Sequence, residues 1–152
     1  MALHEAGKSG SVLLAAMALS AFAAGGCATD EKLEKSDLVE QANAICKPHT
    51  EKIRAASGEL LAGGRLPSKK EVGQLARSTV EPEVRAQITG LRGLKPADDL
   101  ADDYRKWLDD SDMVLGEMVE DPSIIMSADN FETVNREAAD LGMSRDCYIG
   151  PG

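Results

Sequence analysis

Aromatic residues are scarce in this chain of 152 residues: one tryptophan, two tyrosines and two phenylalanines. Phe22, Tyr104, Trp107, Phe131 and Tyr148 are too few and too scattered to stack successive bases, as single-stranded nucleic-acid binders do. Basic residues are also in the minority, 17 against 26 acidic ones, which leaves a formal net charge of −9. That balance argues against nucleic acid and against anionic lipid headgroups as partners, because both would be repelled. Only two histidines occur, and His4 falls in a segment that reads as removable, so catalytic or metal sites built from several histidines lack parts. No G-x-S-x-G, P-loop, H-E-x-x-H or G-x-G-x-x-G motif is present. Long apolar runs are missing too. The longest, Ser11 to Ala24, stops short of the roughly 20 residues that a membrane-crossing helix needs.

What is present begins with an address. A polar start carrying Lys8, the apolar run and the small residues Gly25 and Gly26 follow the tripartite layout of a secretory signal peptide. Ala24-Gly25-Gly26-Cys27 resembles the lipobox of bacterial lipoproteins, in which small residues precede a cysteine that is diacylated and becomes the mature N-terminus. The family prefers leucine where Ala24 stands. The resemblance implies residues 1–26 as a removed signal peptide and Cys27 as the lipidated residue, holding the protein on the outer face of the cytoplasmic membrane. Two acyl chains hold firmly where one holds marginally, at about 0.8 kcal/mol per buried methylene. Cleavage after Ala21-Phe22-Ala23 also satisfies the small-x-small rule and would release a secreted protein. Residues 27–36, short and charged, read as a tether.

Cysteine parity favours lipidation. Of Cys27, Cys46 and Cys147, modification of the first leaves an even pair, and export permits a Cys46–Cys147 disulfide.

From Asp37 onward the apolar spacing is helical and no period-two stretch appears. The first segment offers Asp37 as N-cap with Glu40 three residues later. Its stripe of Leu38, Ala42, Ile45, His49, Ile53, Ala56 and Leu60 is interrupted by Pro48 and ended by Gly63-Gly64. A second capping box, Ser68 to Glu71, opens a segment with Val72, Leu75, Val80, Val84, Ile88 and Leu91 inward and a bend or break at Pro82. The third is the cleanest: Leu100, Tyr104, Trp107, Leu108, Ser111, Val114, Leu115 and Met118 share one face. The fourth is expected from Asp121-Pro122, with a restart at Ser127 or Asp129, through Leu141 to a cap at Gly142. Together these predict an all-α domain over residues 37–152: a four-helix up-down bundle, kinked in its first two helices and stapled by one disulfide.

The chain also resembles a group of small exported or lipid-anchored helical proteins of high-GC Gram-positive bacteria, mostly uncharacterised. The likeness is carried by Ala42-Asn43-Ala44-Ile45-Cys46, Leu91-Arg92-Gly93-Leu94-Lys95-Pro96 and Leu141-Gly142-Met143 followed by Cys147. The resemblance implies an extracytoplasmic location and supports the disulfide. It implies no activity.

Several constellations have a chemical and a plainer reading. Cys46-Lys47-Pro48-His49 has spacing for zinc or for a thiol activated by histidine, although a disulfide beside a half-buried histidine is the stronger expectation. Ten carboxylates between Asp98 and Asp121 face two cations. Asp98, Asp102 and Asp109 lie opposite the Trp107 stripe, as a docking face for a basic partner or as a solvated surface. Asp110-Ser111-Asp112 begins like a calcium loop, but Val114 and Leu115 follow where oxygen ligands belong. Ser111 is expected to bond back to the preceding turn, and Met113, Met118, Met126 and Met143 to fill gaps in the core or adapt to a greasy ligand. Lys69 and Lys70 read as a solvated turn. The function expected is non-enzymatic and without a cofactor: binding of an envelope protein or wall component, or alternatively carriage of a small apolar ligand in the bundle core.

Overall fold

The computed structural model describes residues 32–150. Residues 1–26, expected to be a signal peptide, and Cys27, expected to be lipidated, lie outside them. Among the described residues the fold is all-α, and its one β feature is an isolated parallel bridge between Leu33 and Pro96.

That bridge fixes where the first helix begins. The Leu33 N–H donates to Lys95 O at 2.7 Å, and the Ala97 N–H donates to Leu33 O at 2.8 Å. With the chain held there, helix α1 (Lys35–Leu61) starts two residues before Asp37, from Glu34, which caps it with no side-chain bond. The capping box expected at Asp37 and Glu40 is therefore not formed. Asp37 sits in the first turn, where a carboxylate complements the helix dipole. The stretch from 32 to 36, expected to be tether, belongs to the folded body for the same reason.

Helix α1 passes through Pro48 as one element and ends before Gly64, whose φ of 67° requires glycine. Ser68 caps α2 (Lys69–Leu75): its hydroxyl accepts from Glu71 N–H while the Glu71 carboxylate accepts from Ser68 N–H at 2.8 Å. A single π turn, Ala76–Val80, then leads into α3 (Glu81–Leu91). The Glu81 N–H donates five residues back to Ala76 O, so the wider turn lies immediately before Pro82, which has no N–H to give. The second segment thus runs as two α-helices joined by the π turn just before Pro82.

Helix α4 (Asp98–Glu120) buries Tyr104, Trp107, Leu108, Ser111, Leu115 and Met118, following its sequence stripe. The Ser111 hydroxyl donates to Trp107 O at 2.7 Å, and the Tyr104 hydroxyl donates to Leu91 O at 2.9 Å. The fourth segment departs from expectation. Pro122–Met126 and Ala128–Phe131 are 3₁₀ turns, and α5 is only Glu132–Leu141. Asp121 accepts from Ser123 N–H and so caps a tight turn rather than an α-helix. Gly142, at φ 90°, ends α5 as expected.

Helix α1 lies against α3, α3 against α4, and α4 against α5, while the final 3₁₀ turn, Arg145–Cys147, returns to α1. Trp107, Phe131, Leu38, Leu91, Leu115 and Met118 are almost fully enclosed in one core. The α1–α3 contact is close enough that a Cβ on Gly90 would come within 2.9 Å of Ile45 Cγ2.

Cys46 and Cys147 form a disulfide across 101 positions, with their Cα atoms 5.0 Å apart. The segment it holds is irregular, and side chains satisfy its backbone. Asn43 Oδ1 accepts from Ser144 N–H at 2.8 Å, and the Asn135 amide both donates to Ile149 O and accepts from Ile149 N–H. Ile149 is thereby seated in the core, and Gly150 packs so tightly on the Phe131 ring that no Cβ fits.

Replacing Cys46 and Cys147 together by alanine is expected to lower unfolding stability by about 2–5 kcal/mol, the usual range for a native disulfide of long span. Urea denaturation followed by circular dichroism measures it. A loss below ~1 kcal/mol would show that the side-chain clasps alone hold the C-terminal turn.

Candidate functional site

The apolar stripe of α1 runs further than the elements that cover it. Leu38, Ala42 and Cys46 are buried, whereas Ile53, Ala56, Ser57 and Leu60, on the same stripe two to four turns later, are only half-buried. At 27 residues α1 is much longer than the 11-residue α3 and the 10-residue α5. Its second half reaches α3 through His49 and Lys52 at Glu83, and α1 also touches the short α2, the π turn and the C-terminal turn.

These elements leave a cleft of about 640 Å³, within the range of roughly 300–1,000 Å³ found for small-molecule sites. Helix α1 contributes Thr50, Ile53, Arg54, Ser57, Leu60 and Leu61; the following loop gives Leu66 and Pro67. Val72, Leu75, Val80 and Val84 form the opposite wall, and Ile125, Met126, Arg145, Tyr148 and Gly150 complete it. Three large apolar side chains at this site face solvent: Leu61 is 58% exposed, Leu66 90% and Met126 61%. Leu66 is presented by a loop whose closure is secured by the Arg65–Glu71 ion pair and the Ser68 cap. Those contacts hold the Glu71 carboxyl far below the ordinary carboxylate range, with the Arg65 hydrogen bond the largest cause.

Polar groups are few and one-sided. The lining contains two guanidiniums, Arg54 and Arg145, and no carboxylate. Asp146, just outside, lies 3.5 Å from Arg54, and its backbone carbonyl accepts from the Thr50 hydroxyl. No carboxylate among the described residues pairs with Arg145.

The site residues singled out in the sequence fare differently. Cys46 spends its sulfur on Cys147, so it offers neither a thiol nor a metal ligand. His49 places Nδ1 2.7 Å from Glu83 Oε2, and Lys52 approaches the same carboxylate at 3.1 Å. Among the described residues no group of three or more His, Cys, Asp or Glu side chains is placed to hold a metal ion. The three aspartates expected as a docking face are exposed on α4, but each already holds a cation: Asp98 pairs with Lys32, Asp102 with Arg105 at 2.8 Å, and Asp109 with Arg92 at 2.8 Å. Asp110 pairs with Lys106 and Asp112 with Arg92, so the calcium-like trio aims its oxygens apart. Met118 and Met143 are core residues, whereas Met126 stands at the cleft rim and Met113 is exposed elsewhere. The cleft itself was not foreseen. Its one sequence signal is an α1 stripe longer than the segments available to cover it.

No helix among the described residues is long and apolar enough to cross a membrane. No protein-family model matches the chain, and neither curated proteins nor solved structures give a match.

The His49 hydrogen bond, followed by that of Lys52, lowers the pKa of Glu83 below its ordinary 4.5. A depressed carboxylate stabilises the fold above its unfolded pKa and loses that contribution as pH falls through the folded value. Glu83→Gln is therefore expected to cost about 0.5–1 kcal/mol near neutrality, in keeping with a screened, hydrogen-bonded pair. The difference from the parent should shrink as pH drops below 4.5. Urea titrations of both proteins across that range check it, and a pH-independent difference would refute it.

Proposed function

We propose that this chain is an exported, non-enzymatic binding module, held at the outer face of the cytoplasmic membrane by a lipid on Cys27, and that its binding surface is the cleft at the second half of α1. The observation that carries the reading is an apolar cleft of about 640 Å³ rimmed by Leu61, Leu66 and Met126, all well exposed. Solvent-facing aliphatic side chains gathered at one concave site mark ligand or partner recognition more often than chance does. Support for a non-enzymatic role comes from the nucleophile and base that sequence offered: the Cys46 sulfur is bonded to Cys147, and His49 is engaged by Glu83.

The packing of the core also bears on where a ligand would sit. Trp107, Phe131 and Leu115 fill the centre of the bundle, so carriage belongs to the lateral cleft rather than to the core. We read the helices as an up-down bundle, with bends at Pro48 and at the π turn that open this end. The neighbour-to-neighbour packing of α1, α3, α4 and α5 supports that arrangement. Thr50 lies 15 residues along α1 from Lys35, about 22 Å at the helical rise. An N-terminal anchor would therefore hold the membrane at one end of α1 and the cleft toward the other. A partner protein of the envelope is the second reading, favoured by Leu66, whose 90% exposure on a loop suits a flat contact.

Two measurements test these proposals. A neutral, environment-sensitive dye such as N-phenylnaphthylamine should bind the parent protein, and Leu61→Glu should weaken it about tenfold or more, since a buried charge opposes an apolar ligand. Met113→Glu, on exposed surface away from the cleft, should leave binding unchanged. Equal binding by all three would remove the cleft from consideration. Intact-mass analysis of native material is expected to give a membrane-bound chain that begins at diacylated Cys27. An unlipidated chain cleaved after Ala23 and recovered from the medium would replace the anchor with secretion.

A further inference from the structure

We infer that the cleft takes a single-chain amphiphile with an anionic head, a monomeric long-chain carboxylate, whose head is held by Arg54 and Arg145. The inference rests on the cleft's being the binding surface and adds the chemistry of what enters it.

Charge complementarity is the first argument. The chain carries a net charge of −9, yet among the described residues the only ionic groups lining the cleft are two guanidiniums. They belong to neighbouring elements, α1 and the C-terminal 3₁₀ turn, and are brought together by Asp146. Its carbonyl accepts from Thr50 one turn before Arg54, and its carboxylate reaches Arg54 at 3.5 Å. That long contact leaves most of the guanidinium's donors free, and Arg145 has no carboxylate partner among the described residues. A planar carboxylate fits an arginine fork with two parallel hydrogen bonds, which a hydroxyl cannot match. The negative balance of the whole sequence argued against anionic headgroups; the cleft is the local exception.

Size is the second argument. The cleft volume of about 640 Å³ lies within the range of small-molecule sites and admits a single acyl chain. The walls offer what a chain needs, with Ile53, Leu60, Val72 and Leu75 facing one another across the gap.

The experiment displaces the neutral dye from the full mature protein with tetradecanoate, below its micelle concentration, and with tetradecanol, which has the same tail and no charge. Tetradecanoate is expected to displace the dye at concentrations at least about tenfold lower than the alcohol. An Arg54→Gln, Arg145→Gln double variant should lose that preference while still binding the alcohol as the parent does. Both arginines are solvent-exposed, and unchanged alcohol binding doubles as the check that the variant is folded. Equal potency of acid and alcohol on the parent protein overturns the headgroup assignment and leaves the cleft as an apolar site. Displacement by neither, together with dye binding that ignores Leu61→Glu, overturns the cleft reading itself. Association with vesicles of anionic diacyl phospholipid, without displacement by the monomeric acid, also overturns the inference, in favour of membrane-surface docking.

Discussion

The bond between Cys46 and Cys147 brings the end of the chain to the middle of its first helix, and both the core and the cleft depend on that placement. Residues 143–150 contain only one short 3₁₀ turn, so their backbone groups cannot satisfy each other as a helix would. The neighbouring elements supply the missing partners: Asn43 and Thr50 from α1, Gln87 from α3 and Asn135 from α5. Each of these polar bonds has a geometry that exists only when the segment is already close. The covalent link makes that approach far less costly by shortening the unfolded chain's reach. Once seated, the segment faces two ways. Met143, Cys147 and Ile149 enter the core, while Arg145, Tyr148 and Gly150 form part of the cleft wall.

A second constraint is the mismatch of helix lengths. A bundle whose helices match in length buries its stripes end to end, but here α1 overreaches α3 and α5. Its later apolar residues line the cleft together with residues of α2 and the 122–126 turn, elements too short to close over them. Leu66 sits at the outermost point of a loop that an ion pair, a capping box and a left-handed glycine together hold in shape. Fixing an exposed leucine in position costs conformational freedom without burying any area, which is the pattern of a surface that is completed by something else.

How much of this could be read beforehand depended on the range of the interaction concerned. Helix α4 was legible to the residue because Leu100 to Met118 keep one face at the helical period, and burial follows that face. Ser68 and Gly142 were legible because capping is local chemistry, complete within three or four residues. The start of α1 was not, since it is set by hydrogen bonds from Leu33 to a strand-like stretch more than sixty residues away. The 3₁₀ turns at 122–131 were blurred for a related reason: Asp121 and Pro122 are compatible with either helix, and the choice falls to packing against Phe131 and α4. The pairing of the acidic face was only partly legible, because two of the cations that meet it, Lys32 and Arg92, lie outside the run itself. The cleft left almost no mark, because an apolar stripe looks the same whether its far end is covered or bare.

The separation of charge in the finished molecule reconciles an acidic protein with a basic cleft. No residue of α4 lines the cleft, and five of that helix's aspartates are already engaged by Arg92, Lys106 and Arg105 or, at Asp98, by Lys32. At physiological ionic strength an exposed charge is largely screened beyond about 8 Å, so paired carboxylates on α4 exert little field on the opposite side of α1. What an approaching anion meets at the cleft is set by the nearest groups: two guanidiniums and one flanking carboxylate, Asp146. Net charge governs solubility and long-range encounter, and it disfavours an extended anionic surface such as a bilayer or a phosphate backbone. It does not govern a single small head entering a cleft whose local sign is reversed. An acidic chain can therefore disfavour an extended anionic surface and still present a locally basic cleft at the far end of its first helix.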